Sequence, residues 1–177
     1  MTPNKRAIEA RAIFIALVLL AMAAPVAAQQ AARWFDQPVV LVGGQYGAPG
    51  RMSASAGVLI APPRPLASGT APDSSRVGIL VRGTAGSGGF SVGAGGAALA
   101  LEGPYLTTGF DALFTVTRTG ETPRGAGADS TYVGVEGGLV LMSVRLSAGV
   151  AHRAAGPPGP KATIFTWSVG VQLPLGW

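Results

Sequence analysis

After residue 30, the chain contains stretches in which apolar side chains recur at every second position, and no stretch shows the 3.6-residue period of an amphipathic helix. In the last such stretch, alternate residues from Phe165 to Trp177 are all apolar, and those between them are mostly small or polar. Successive side chains of a strand point to opposite faces, so each stretch has one apolar face. The pattern therefore predicts an all-β fold.

The stretches with this period are about ten residues long and are separated by glycine, proline and serine clusters, which are typical of turns. Eight strands are predicted, at residues 38–47, 51–61, 76–85, 89–101, 105–118, 130–142, 143–153 and 163–176. The 27 glycines show no three-residue period, which excludes collagen, and high apolar content argues against disorder.

Residues 1–28 have the three parts of a secretory signal peptide. Lys5, Arg6 and Arg11 precede an uncharged apolar run over residues 12–24, and small residues follow Pro25. The run is shorter than the roughly 20 residues that a helix needs to cross a bilayer. We therefore expect cleavage after Ala28, which leaves a short N-terminal segment at 29–37 and one domain at 38–177.

Composition narrows the class of protein further. The chain contains no cysteine, so an exported form of it cannot depend on disulfides for stability. Part of the formal net charge of +5 belongs to the leader, and the basic balance that is left is too small to indicate nucleic-acid binding. No nucleic-acid partner is expected.

The predicted strands from residue 105 onwards have unusually few charges on their polar faces, which consist mostly of glycine, serine, threonine and alanine. The water-facing side of a soluble β-protein is normally rich in lysine, glutamate and arginine. Small groups and isolated charges suit the narrow interior of a barrel whose apolar face points outward. An apolar exterior is stable in lipid, where a closed barrel satisfies every backbone polar group. We expect an eight-stranded antiparallel up-and-down transmembrane β-barrel.

With a signal peptide and about eight strands, the chain resembles the small bacterial outer-membrane β-barrels of the OmpA/OmpX type. In that family the last strand carries a signal for the barrel-assembly machinery, which combines a polar residue, a glycine and alternating apolar residues with a terminal aromatic. The residues that match it are Ser168, Gly170, Leu173, Leu175 and Trp177. Pro174 departs from the pattern, since it cannot donate to a strand ladder. The resemblance implies insertion into the outer membrane of a Gram-negative-type bacterium, with outer-membrane lipid and the assembly machinery as partners.

Several charged residues fall on the predicted inward face of the barrel. They are Arg51, Arg82, Asp111, Glu136 and Arg145. Charges in such an interior must pair, and the bore of an eight-stranded barrel is just wide enough for side chains to fill it. A lumen filled by a charge network favours a structural or surface-interaction role over transport.

Three other functions stay open: a narrow passive channel for small solutes or ions, a secreted soluble β-barrel that binds a small apolar ligand, and a lipid-modifying enzyme. The resembled family includes lipid A deacylases that carry a serine two residues from a histidine, but Ala154 stands at that distance from His152. The glycine clusters lack the Lys-Ser/Thr of a phosphate loop, and no metal-ligand spacing is present. We expect no catalytic, cofactor or metal site.

The connection between residues 61 and 76 conflicts with the resemblance. If both termini are periplasmic, this long connection is periplasmic too, whereas the family usually has short periplasmic turns. Either the count of early strands is wrong, or this chain has an elongated periplasmic connection.

Overall fold

The computed structural model describes residues 38–62, 75–102, 106–157 and 162–175. These residues form eight strands: β1 (Val39–Ala48), β2 (Arg51–Ile60), β3 (Ser75–Gly86), β4 (Gly89–Glu102), β5 (Leu106–Thr119), β6 (Thr131–Leu141), β7 (Val144–Ala155) and β8 (Thr163–Leu175). Each strand pairs antiparallel with the next, and β1 also pairs with β8. The predicted all-β, eight-stranded up-and-down barrel is confirmed, with strand limits within two residues of those predicted.

The doubt about the early strands is resolved, because β1 to β4 all belong to the closed barrel. The predicted signal peptide, the segment 29–37, most of the long β2–β3 connection and Trp177 lie outside the described residues. Within the described part of the chain, no helix is long and apolar enough to cross a membrane.

The barrel has two different ends. The terminus end holds the start of β1, the end of β8 and the β2–β3, β4–β5 and β6–β7 connections. The loop end holds the β1–β2, β3–β4, β5–β6 and β7–β8 connections. The barrel is closed differently at each end.

The β6–β7 connection is a two-residue turn at the terminus end. Met142 and Ser143 have φ angles of 48° and 68°, and positive φ at both central residues matches the twist of a hairpin. Polar contacts hold Ser143 in this conformation: its Oγ accepts from the Thr107 N–H at 3.1 Å, and its carbonyl accepts from the Gln172 N–H at 2.8 Å. The turn thereby ties β5 and β8 to the same end of the barrel.

The two faces of the strands differ as the period of two predicts. On β5, Phe110 and Phe114 point outward and are exposed, while Asp111 and Thr115 point inward and are buried. The same alternation continues through β6, β7 and β8. An apolar cluster fills the interior towards the terminus end and comprises Val39, Leu41, Leu59, Leu80, Ala97, Leu99, Leu101, Leu113 and Val140.

Candidate functional site in the barrel lumen

A buried ion cluster occupies the lumen next to the apolar cluster. Arg145 on β7 donates from Nη2 to Asp111 Oδ1 on β5 at 2.7 Å, and from Nε to Asp111 Oδ2 at 3.1 Å. The same Nη2 donates to Glu136 Oε1 on β6 at 3.1 Å. The side chains of Arg145 and Asp111 are 3% and 0% exposed, against 22% for Glu136. Arg145 is therefore the cation that neutralises a fully buried carboxylate.

Gly138 makes room for this cluster. It lies on β6 between Asp111 of β5 and Ser147 of β7 in the strand register, and it faces the lumen. A Cβ atom at this position would lie 2.6 Å from Asp111 Oδ2, which is closer than real Cβ contacts occur. The small residues of the inward face are thus needed where the charged side chains cross the bore.

Arg82 on β3 is also buried in the lumen, but it is held differently. Its Nη2 donates to Gln45 Oε1 on β1, whereas its Nε and Nη1 are buried without a hydrogen-bond partner. Among the described residues, no carboxylate oxygen lies within 4.0 Å of a nitrogen of the Arg82 guanidinium. Arg82 is consequently a second buried cation beside the cluster and has no ion pair of its own.

Arg51 lies apart from the other predicted lumen charges. It begins β2 directly after the β1–β2 turn, has a φ of 54° and is exposed at the loop end. There it lines the mouth of the lumen. The structure thus brings Asp111, Glu136 and Arg145 together, leaves Arg82 beside Gln45, and places Arg51 at the rim.

Hydroxyl groups also lie in the lumen and, together with the charged side chains, form its polar layer. Ser147 and Ser168 oxygens lie 2.7 Å apart, and Thr117 Oγ1 donates to Ser91 Oγ at 3.0 Å. A cavity of about 50 Å³ is left between this layer and the loop end. It has room for only a few water molecules, at roughly 10–15 Å³ each.

The β5–β6 loop, residues 120–130, folds across the loop end. Its Gly120 N–H donates to the Gly88 carbonyl at 2.9 Å, and its Arg124 N–H donates to the Pro49 carbonyl at 3.2 Å. These acceptors belong to the β3–β4 and β1–β2 turns, so the loop crosses the mouth and is pinned beyond it. On the near side, the Gly127 N–H donates to the hydroxyl of buried Tyr132 at 2.9 Å.

The residues of the predicted assembly signal lie on both faces of β8. Leu173 and Leu175 are exposed on the outer surface, whereas Ser168 is buried in the polar layer of the lumen. Gly170 allows β1 to approach, because a Cβ there would lie 2.7 Å from Gln45 Cα. Pro174 points inward and is buried at the terminus end, while Trp177 lies outside the described residues.

The chemistry of the lumen is that of a packed interior. Within the described ranges, no three histidine, aspartate or glutamate side chains come together as potential metal ligands. His152 points outward at the loop end, where its Nδ1 lies 3.1 Å from Thr163 Oγ1.

No protein-family model, curated protein or solved structure matches the chain.

Proposed function

We propose that this chain is an integral outer-membrane β-barrel with a side-chain-filled lumen and a structural or surface-interaction role. The observation that carries the proposal is the outer surface of the closed barrel, which is covered with large apolar side chains. Val77, Ile79, Phe110, Phe114 and Phe165 are each between 60% and 74% exposed. In water, an apolar surface of this extent drives association, whereas in a bilayer it replaces lipid-to-lipid contact.

The length and closure of the strands support the same proposal. The strands have 10 to 14 residues, and a tilted transmembrane strand needs about 9–11. Pairing of β1 with β8 leaves no free sheet edge, so the backbone polar groups of the wall are satisfied within the wall. A barrel of this kind can lie in hydrocarbon without an unpaired strand.

The contents of the lumen support a role other than transport. The apolar cluster fills the terminus end, the Arg145–Asp111–Glu136 cluster crosses the middle, and the β5–β6 loop covers the loop end. An ion that crossed this path would have to displace buried apolar and charged side chains. We therefore propose that the barrel does not conduct and does not catalyse a reaction, and that it acts through its surfaces.

The sequence supports export and assembly. The leader at 1–28 directs secretion, and the pattern that ends in Trp177 supports recognition by the barrel-assembly machinery of a Gram-negative-type bacterium. Outer-membrane lipid and this machinery are the partners that the proposal requires.

Fractionation and electrical recording test the proposal together. The full chain is expressed in a Gram-negative host, and inner and outer membranes are separated on a density gradient and washed with alkaline carbonate. We expect the protein in washed outer membranes, with faster gel mobility before boiling than after. Recovery in the soluble fraction would support the secreted ligand-binding alternative instead. Discrete conductance steps from the purified protein in planar bilayers would support the narrow channel.

A further inference from the structure

Arg124 holds an exposed positive charge against two aromatic rings on the outside of the barrel. Its Cζ lies 5.4 Å from the centroid of the Tyr46 ring and 5.6 Å from that of Trp167. The two rings meet edge to face at 6.1 Å, and Arg124 Nη1 donates to the Tyr46 hydroxyl. No carboxylate among the described residues pairs with Arg124. A guanidinium carries five N–H donors, so most of its donors stay available for an anion.

A backbone hydrogen bond places Arg124 on this side of the barrel. The Arg124 N–H bond to the Pro49 carbonyl brings the β5–β6 loop across the mouth to the side of the barrel formed by β8 and β1. The cation therefore lies where the apolar wall meets the loop end. In a membrane-inserted barrel this is the level of the lipid headgroups.

An apolar groove begins directly below the aromatic pair, on the outer face of β8, β1, β2 and β3. It is shallow and open to the outside over most of its area, and it shares Tyr46 with the arginine cluster formed by Arg124, Tyr46 and Trp167. Its floor is low because Gly44 lies opposite Ala54, which in turn lies opposite Ala85. Larger side chains border the floor, namely those of Tyr46, Met52, Val169 and Val171.

We propose that the arginine cluster and the groove form one binding site for an anionic lipid that carries a phosphate and acyl chains. The phosphate lies on Arg124, and one acyl chain lies in the groove. The charge of Arg124 decides which occupant we propose. A partner with a flat apolar surface would need only the groove, whereas a phosphate complements this cation, which no described carboxylate neutralises. This site rests on the proposed function, since it forms only if the wall faces lipid.

Trp167 provides the test, because it is part of the site. The full chain, with Trp34 and Trp177 replaced by phenylalanine so that Trp167 is the remaining tryptophan, is refolded into phosphatidylcholine vesicles. These contain a minor fraction of either brominated phosphatidylglycerol or brominated phosphatidylcholine. We expect Trp167 fluorescence to be quenched more by the anionic lipid, with roughly fivefold enrichment at the site, since one arginine near a membrane surface contributes about 1 kcal/mol.

Two variants examine the two halves of the site. Arg124→Gln removes the charge and keeps the backbone N–H that bonds Pro49, so the loop is retained while the preference for the anionic lipid is lost. Gly44→Leu fills the groove, since a Cβ at Gly44 meets nothing within 4 Å, and it should also lower the enrichment. The matched control is Arg118→Gln, because Arg118 is an arginine near the loop end on β5, away from the groove, and it should keep the preference.

The outcomes separate this inference from the proposed function. If neither brominated lipid quenches Trp167, the wall beside the site does not contact lipid and the proposed function fails. Equal quenching by both lipids, or an anionic preference that survives Arg124→Gln, would leave insertion intact and overturn the lipid site. Displacement of brominated phosphatidylglycerol by millimolar inorganic phosphate would show that the acyl chain plays no part, and this too would overturn it. If the preference for the anionic lipid is lost only when the protein is diluted, the groove binds a second copy of the chain and the lipid site is overturned.

Discussion

Replacing Arg145 with methionine should be the most destabilising substitution among the lumen charges. Its guanidinium makes three hydrogen bonds to carboxylates, two of them with the 0%-exposed Asp111 side chain. Methionine fills much of the same space but leaves that carboxylate buried without a counter-charge. Removing one partner of a buried ion pair costs about 3–5 kcal/mol, and we expect the free energy of unfolding to fall by this amount.

Two comparison variants separate charge compensation from lost packing. Arg82→Met removes a buried cation that has one side-chain partner, Gln45, and two unpaired nitrogens, so it should change stability by less than about 1 kcal/mol. In the double variant Arg145→Met with Asp111→Asn, the buried carboxylate is replaced by a neutral amide. We expect the double variant to regain more than half of the loss.

The assay is urea unfolding of protein refolded in phosphatidylcholine vesicles, followed by tryptophan emission and by gel mobility of unboiled samples. Coincident transitions by the two probes justify a two-state free energy. A loss below about 1 kcal/mol for Arg145→Met, which is the range of exposed ion pairs, would refute the reasoning. An equal loss for Arg82→Met would do so as well, because cation burial and not pairing would then control stability.

Three further changes test other parts of the structure. Gly138→Ala places a Cβ against Asp111 and should lower the free energy of unfolding by about 1–3 kcal/mol in the same titration. At the outward-facing Gly137, the atoms nearest to an added Cβ lie 4.0 Å away, so Gly137→Ala should change the free energy of unfolding little. Val135→Arg puts a charge on the outer face of β6 and should cost roughly 2–4 kcal/mol in vesicles near the midplane; a smaller cost there than in detergent would contradict a lipid-facing position. Deleting Trp177 should reduce the membrane-inserted fraction in cells while leaving unfolding of the refolded protein unchanged, and the reverse pattern would assign Trp177 to stability.

The strands and their faces could be predicted because the alternation of side chains is a local property. Apolar residues at every second position place Phe110 and Phe114 on one face of β5 and Asp111 on the other, whatever the rest of the chain does. Turn residues mark the ends of strands for the same local reason. Closure is predicted from the apolar outer face, because a closed barrel satisfies every backbone polar group in lipid, and the structure has this closure.

Depth along the barrel axis could not be predicted in this way. Arg51 lies an even number of residues from the inward-facing residues of β2, so the alternation predicts that it points inward. Because it lies at the end of the strand, it is at the rim of the barrel. The contact of Arg145 with Asp111 depends on the stagger of β5, β6 and β7, which arises from pairing between distant parts of the chain. The β5–β6 loop contains glycine, proline and polar residues without a period, and its position depends on carbonyls of other turns, such as that of Pro49.

The central claim is that the outer surface of the barrel faces lipid. Two adjacent residues of β4, which lie at one depth along the barrel, test this claim. Val92 is 47% exposed on the outer face, while Ser91 lines the lumen cavity. The chain has no cysteine, so Val92→Cys and Ser91→Cys each give a single site for a bimane label. In vesicles, brominated lipid should quench the label at 92 and aqueous iodide should not, while the label at 91 should be insensitive to the lipid. Quenching at 92 by iodide and not by brominated lipid would contradict membrane insertion.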